Sequence, residues 1–398
     1  MATRHMLVLA CAASLLGTAP VMAADACAVL ARQVDGAGQG SNKGAVFVAS
    51  YPTASDKTLR HVAFLYDNAA ATLALIGCGD TAHAARLGDA MLAALDHDRF
   101  WHDGRLRNAY LAGPVANPAK LGGWQDGDRW AEDGYQVGSD TGNLAWAMLA
   151  LLALHHGGAG EKYLRGARRI AVHVEKNFSA PGFTGGTFGG EPKPRRNTWK
   201  STEHNVDLAA AFARLGAATH DAHWTMRAAQ ARALVAVLWD KACGCFAAGT
   251  GLDGKTPNRF LALDAQIWPL LALPGGVTHY GAALKAARAK MTVAGGLAYS
   301  QARGAVWTEG TAQAALLAAL MRQPREAARL LAVVEKNRSP GGGYYAADRD
   351  ADTGFRLDTD ASQARRYFRM PHLGALAWAA LARRRFNPFT FGPTLPAG

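Results

Sequence analysis

Apolar positions fall into two kinds of run that alternate along the chain. One kind is apolar nearly all the way round: residues 59–76, 141–155, 202–215, 263–273, 308–321 and 372–383. A helix without a polar face has to be covered on every side. The second kind carries charge along one face, near residues 80–95, 160–177, 219–240, 279–291 and 324–337. Each of these follows one of the first five apolar runs, and a short helix from Asp25 to Gln33 supplies a sixth partner. Repeated pairing of a wholly buried helix with a half-buried one predicts an array that closes on itself. The expectation is an all-α fold, a helical toroid of six inner and six outer helices.

The connections are unequal. Turns from an inner helix to its outer partner are short (Gly77–Gly79, His155–Gly160, Gly216–Thr219, Arg322–Gln323), whereas the return segments are long and rich in glycine and aromatics. The segment 97–139 contains a strand-like piece from Arg105 to Leu111, and 341–370 is long enough to serve as a lid. Long segments therefore gather on the face where the inner helices begin. Those beginnings are polar. Ser201, Thr202, Glu203, His204, Asn205 and Asp207 front an Ala/Leu/Phe helix that runs to Leu215. With Ser201 or Thr202 as N-cap, Glu203, His204 and Asn205 fall in the first turn, beside unpaired backbone N–H groups.

Arg4 and His5, the apolar run Met6–Gly17 and the small-residue site Val21-Met22-Ala23 form a signal-peptide pattern over 1–23. The mature chain is then one domain, 24–398, expected to be periplasmic or secreted and monomeric. No later run reaches the roughly 18 uninterrupted apolar residues of a membrane span. Export permits disulfides. Cys27 and Cys78 are a reasonable pair if the first helix closes the ring. Cys243 and Cys245, one glycine apart, would make a strained mutual bridge and are a poor zinc motif. Lys and Arg outnumber Asp and Glu by 43 to 31. That charge reads first as a solvated basic surface and alternatively as attraction to anionic polymers such as acidic polysaccharide or lipid headgroups; an exported chain without a recognised binding motif is not read as a nucleic-acid partner.

The phrases YDNAAATLAL, GNLAWAMLALL, STEHNVDLAAAF, LDAQIWPLLAL and VWTEGTAQAALLA resemble inner-helix starts in exported bacterial carbohydrate-processing members of the six-hairpin glycosidase superfamily. The resemblance extends, as a pattern, over nearly the entire mature chain. It implies an (α/α)6 toroid, a substrate cleft across the inner-helix N-termini, no cofactor or metal, and hydrolysis with inversion by two carboxylic groups.

Such hydrolysis needs one protonated carboxyl for the leaving oxygen and one carboxylate to activate water, about 6.5–9.5 Å apart in an inverting enzyme. The acids at the expected mouth are Asp67, Asp140, Glu203, Asp207, Asp264 and Glu309. Glu203 and Glu309 are equivalent: each belongs to a Thr-Glu pair opening an apolar helix shortly after a tryptophan (Trp199, Trp307). The same position also suits plain capping. Glu203 is the leading general acid, and the base is left among Glu309, Asp67 and Asp264. Asp207 is read as making an internal structural bond.

The candidate sugar contacts are Tyr66, Asp140, Asn143, Trp199, His204, Asn205, Gln266, Trp307, Gln313, Tyr344, Tyr345 and His372. Flat aromatic faces stack on the C–H faces of pyranose rings while polar groups meet hydroxyls. Trp101, Trp124 and Trp130 lie on the same long-loop side, whereas Trp146, Trp239, Trp268 and Trp378 sit within helices and read as packing. Asp348, Asp350 and Asp352 precede a glycine one place late for an EF-hand and lack its final Glu, so they read as a solvated acidic loop. There is no phosphate-binding loop, G-x-S-x-G elbow or H-E-x-x-H helix.

The sequence thus reads as a glycoside hydrolase of a polysaccharide or oligosaccharide, a β-glucan or bacterial exopolysaccharide. Two alternatives stay open. One is a lyase acting on a uronic-acid polymer through Tyr, His and Arg, supported by the positive charge, Tyr66, Tyr344, His204 and loop arginines such as Arg349, Arg356, Arg365 and Arg366. The other is a non-catalytic glycan-binding toroid.

Overall fold

A computed structural model describes residues 25–38, 44–357 and 360–397. The expected signal peptide and most of the loop 36–44 lie outside the described residues. Among the described residues thirteen helices follow one another: α1 Ala26–Ala37, α2 Leu65–Gly77, α3 Thr81–Asp96, α4 Thr141–His156, α5 Glu161–Phe178, α6 Thr202–Thr219, α7 Ala222–Val237, α8 Leu263–Ala272, α9 Gly276–Tyr280, α10 Ala282–Met291, α11 Thr308–Leu320, α12 Pro324–Lys336 and α13 Leu373–Arg384. Helices α2, α4, α6, α8, α11 and α13 each pack on the next, and α13 returns onto α2. The ring is closed. Outside it, α3, α5, α7, α10 and α12 lie against α2, α4, α6, α8 and α11, and α1 lies against α13.

Residue pattern explains which helix goes where. Every residue of α4 from Leu144 to Leu154 is buried. Helix α5 buries only Tyr163, Gly166, Ala167, Ile170, Ala171, His173, Val174 and Phe178, and turns its charged face outward. The middle of the ring is aromatic. Trp146, Trp268 and Trp378 are fully buried there with Phe389, at ring separations of 5.2 Å (Trp146–Trp268), 5.4 Å (Trp146–Phe389) and 6.1 Å (Trp268–Trp378). Tyr66, at the start of α2, sits edge-on to Trp146 at 5.0 Å.

A repeated device fastens the return segments to the inner helices. The fourth residue of α2, α6 and α8 is an amide: Asn68, Asn205 and Gln266. Each accepts from and donates to the backbone of one residue in a preceding segment, namely Val48, Phe183 and Phe246, at 2.8–3.0 Å. Thr311, fourth in α11, binds Leu297 N–H at 3.0 Å. These clamps set the height at which each helix presents its first turn.

Several expectations need correction. The fold is not strictly all-α, because the return segments pair as short ladders such as Trp239–Asp240 with Cys245–Phe246 and Gly186–Phe188 with Arg195–Asn197. The first inner helix begins at Leu65 rather than near 59, since Val62–Phe64 is drawn into a ladder with Ala109–Leu111. Helix α6 continues through Thr219 and turns at His220, which takes the left-handed conformation (φ 53°). Cys27–Cys78 is a disulfide, tying α1 to the end of α2. Cys243 and Cys245 are also bonded, across Gly244, whose φ of +62° allows the tight turn.

Candidate active site

Three inner helices present an acid as their second residue: Glu203 on α6, Asp264 on α8 and Glu309 on α11. Asp67 is third on α2. All four stand at the N-terminal mouth of the ring, where the helix ends favour negative charge. Glu203 and Asp264 hydrogen-bond to each other. Burial raises both, and the Asp264 charge pushes Glu203 further, so that Glu203 lies well above the ordinary carboxylate range. Asp264 is raised to about 6, with the Glu203 bond, the Ala265 N–H and Arg365 opposing its burial. At neutral pH the pair therefore holds one proton, on Glu203.

Glu309 lies in a second group. It accepts from the Tyr66 hydroxyl, which in turn accepts from Trp378 Nε1 at 2.7 Å. Gln313, one turn along α11, donates to Glu309 Oε1 at 3.4 Å. His372 bonds Asp67 through Nε2 at 3.2 Å and lies 4.0 Å from Glu309 Oε2 through Nδ1. Burial raises Glu309 to about 7, with His372 and Tyr66 opposing and Asp67 adding to the rise. Burial works against charge on His372, but Asp67 and Glu309 outweigh it and its pKa is raised. The Asp264 charge also reaches Glu309, so the two groups border one basin.

The walls come from return segments. Tyr299 and Tyr367 flank Trp307, with ring centroids 5.1 and 5.4 Å away. Arg365 is exposed and lies over the Tyr135 ring at 4.7 Å; its charge acts on Glu203, Asp264 and His204. His204 is pushed down to about 3 by burial and Arg365, so the ring is neutral. Its Nδ1 faces Thr141 Oγ1 at 3.1 Å. That hydroxyl already donates to Thr184 O, so Nδ1 carries the proton and Nε2 remains an acceptor. Trp199 lies 5.4 Å from the same ring. Asn143 donates to Asn108 at 2.7 Å, and Asp140 is buried beside it.

The structure thus brings Tyr66, Asp67, Asp140, Asn143, Trp199, Glu203, His204, Asp264, Trp307, Glu309, Gln313 and His372 around one mouth. Other residues expected there are elsewhere engaged. Asn205 and Gln266 are spent on the backbone clamps and are fully buried. Tyr344 is buried against α12, donating to Glu335 at 3.1 Å and accepting from Arg338 at 2.9 Å. Tyr345 lies under Arg369 at 4.2 Å, and Trp101 under Arg105 at 3.9 Å. Asp348 and Asp350 accept backbone N–H groups from Val306 and Arg369, which accounts for two acids of the loop. Asp207 makes no internal bond: neither carboxyl oxygen has a hydrogen-bond partner among the described residues.

Sequence reading missed Tyr51, Tyr299, Tyr367 and Gly374. Tyr51 stacks on His372 at 4.5 Å. A Cβ at Gly374 would lie 2.7 Å from Asp67 Oδ1 and 2.9 Å from Glu309 Oε2. No periodic signal marks residues of this kind.

No protein-family model matches the chain, and no curated protein does. Solved structures do. A glycosidase in complex with glucose superposes with a TM-score of 0.59 at 15% identity, covering 92% of this chain and 96% of its own. An alpha-amylase from Clostridium perfringens gives 0.61 at 11% identity, over 90% and 98%. A sugar epimerase from a ruminal bacterium gives 0.60 at 11% identity, over 90% and 96%. At these identities the likeness is one of fold, and the fold is shared with carbohydrate-active enzymes along almost its full length.

Proposed function

We propose that this chain is a glycoside hydrolase built on an (α/α)6 toroid, cleaving a polysaccharide or oligosaccharide with Glu203 as general acid and Glu309 as general base. One observation carries the reading. Two carboxyl groups border the same basin in opposite states of readiness: Glu203 keeps a proton because it is buried and Asp264 stands beside it, and Glu309 is raised by burial to about 7 within a cage of Tyr66, Gln313 and His372.

Glu203 is half-buried and reaches the basin, where it gives its proton to the departing glycosidic oxygen. Glu309, once ionised, takes a proton from the water that attacks the anomeric carbon. Its Oε1 is occupied by Tyr66 and Gln313, leaving Oε2 for the water. Asp67 holds His372 in place beside that oxygen. Trp199, Tyr299 and Tyr367, all half-buried, offer aromatic faces for sugar rings, and the buried Trp307 backs the two tyrosines. Export as a monomer to the periplasm or beyond remains part of the proposal, as does a β-glucan or exopolysaccharide substrate.

The lyase alternative fares worse on chemistry. A lyase base must lose its proton readily. Tyr66 instead donates to Glu309, and its burial and that neighbour push its pKa well up. Tyr344 is committed to Glu335. Incubation with a polysaccharide panel is the test. New reducing ends without ultraviolet absorbance are expected. An unsaturated uronate product, an epimerised sugar without chain scission, or binding without turnover would each overturn the proposal.

A further inference from the structure

Asp207 is an acid near the mouth to which the mechanism above gives no role. It lies on α6 four residues after Glu203, and that spacing puts both side chains on one face of the helix. It is wholly buried. Its two oxygens lack any hydrogen-bond partner among the described residues. Trp146 is near enough for its indole N–H to favour the charged form, yet stands outside hydrogen-bond geometry. Burial above all, and then the Asp264 charge, push its pKa well up. An ionised carboxylate there would be a buried, unpaired charge beside other negative groups, which is prohibitively costly. Asp207 is neutral.

A neutral carboxyl carries an O–H donor. At rest neither Asp207 oxygen stands in hydrogen-bond geometry with any of the described residues, the Asp264 carboxylate included, and Glu203 is itself protonated. During glycosidic cleavage Glu203 loses its proton, and two carboxylates, Glu203 and Asp264, then stand side by side. We propose that Asp207 is a positioning residue for this pair, unpartnered at rest, whose O–H donates a hydrogen bond to the Glu203 carboxylate as it becomes charged. The proton stays on Asp207; only the hydrogen bond is new. An interaction made in the transition state and absent from the ground state raises kcat without tightening substrate binding. This rests on Glu203 being the acid.

The experiment compares wild type, Asp207→Leu, Asp207→Asn and Glu203→Gln on whichever panel polysaccharide the wild type degrades fastest, read as reducing ends and as Tm. Asp207→Leu is expected to lower kcat by about 10- to 100-fold with KM unchanged. Its Tm should not fall, because an unpartnered buried polar group has been replaced by an apolar one. Asp207→Asn, which keeps a donor, should recover most of the loss. Wild-type kcat in Asp207→Leu, a change confined to KM, or failure of Asp207→Asn to recover activity would overturn the inference. Should Asp207→Leu fail to fold, Asp207→Ala carries the same expectation. If Glu203→Gln is inactive while Asp207→Leu is normal, this inference alone falls; if Glu203→Gln is active, the assignment of the acid falls first.

Discussion

Glu203 and Asp264, the second residues of two neighbouring inner helices, hydrogen-bond through their carboxyl groups. Asp264 is among the causes that raise Glu203, after burial. Asp264→Asn removes that charge, so the Glu203 pKa should drop. The alkaline limb of the kcat/KM profile, where Glu203 loses its proton, should then move to lower pH. A pH–rate titration checks this, and an unmoved alkaline limb would count against proton sharing.

Glu309 sets the other limb. Its pKa of about 7 means that activity should rise with pH through about 7 as the carboxylate forms. The Tyr66 hydroxyl stabilises that carboxylate and lowers the value. Tyr66→Phe should therefore shift the acid limb upward, while Glu309→Gln should abolish most turnover. An acid limb that stays in place in Tyr66→Phe would show that another group controls it.

Gly374 lets Asp67 and Glu309 come together. An added methyl would stand 2.7 Å from one carboxylate oxygen and 2.9 Å from the other, so one of them has to move. Gly374→Ala should reduce kcat by about 10²-fold, the scale of an ångström-sized misplacement. The gain in helix propensity, about 0.5–1 kcal/mol, works the other way on stability. Loss of activity without comparable loss of Tm is the expected signature.

How much of this was legible beforehand follows from the physics of each signal. Burial on all sides leaves a plain mark, and the apolar runs at 141–155 or 308–321 give their helices away. The acids were visible because a carboxylate opening an apolar helix is conspicuous. Asn205 and Asn143 were not separable: both are polar residues in a first helical turn, and only the fold shows that one grips the backbone of Phe183 while the other faces the basin. Tyr299 and Tyr367 were hidden because return segments carry no period. Asp207 was misread for a related reason. A buried acid ordinarily has a partner, and sequence cannot reveal that this one lacks it.

The amide clamps yield a prediction about stability. Asn205→Leu would leave the buried N–H and C=O of Phe183 without partners, at a cost of about 1–3 kcal/mol for each unsatisfied group. Chemical denaturation should show a loss of about 2–5 kcal/mol by this reckoning. A loss below about 1 kcal/mol, the worth of an ordinary net hydrogen bond, would mean that the clamp is dispensable.

The central claim is that Glu203 supplies the proton to the leaving sugar. Steady-state release of reducing ends by Glu203→Gln, with folding verified by circular dichroism, tests it most directly. The account predicts a fall in kcat of about 10²- to 10⁴-fold. Near-normal turnover by a folded Glu203→Gln variant would contradict it.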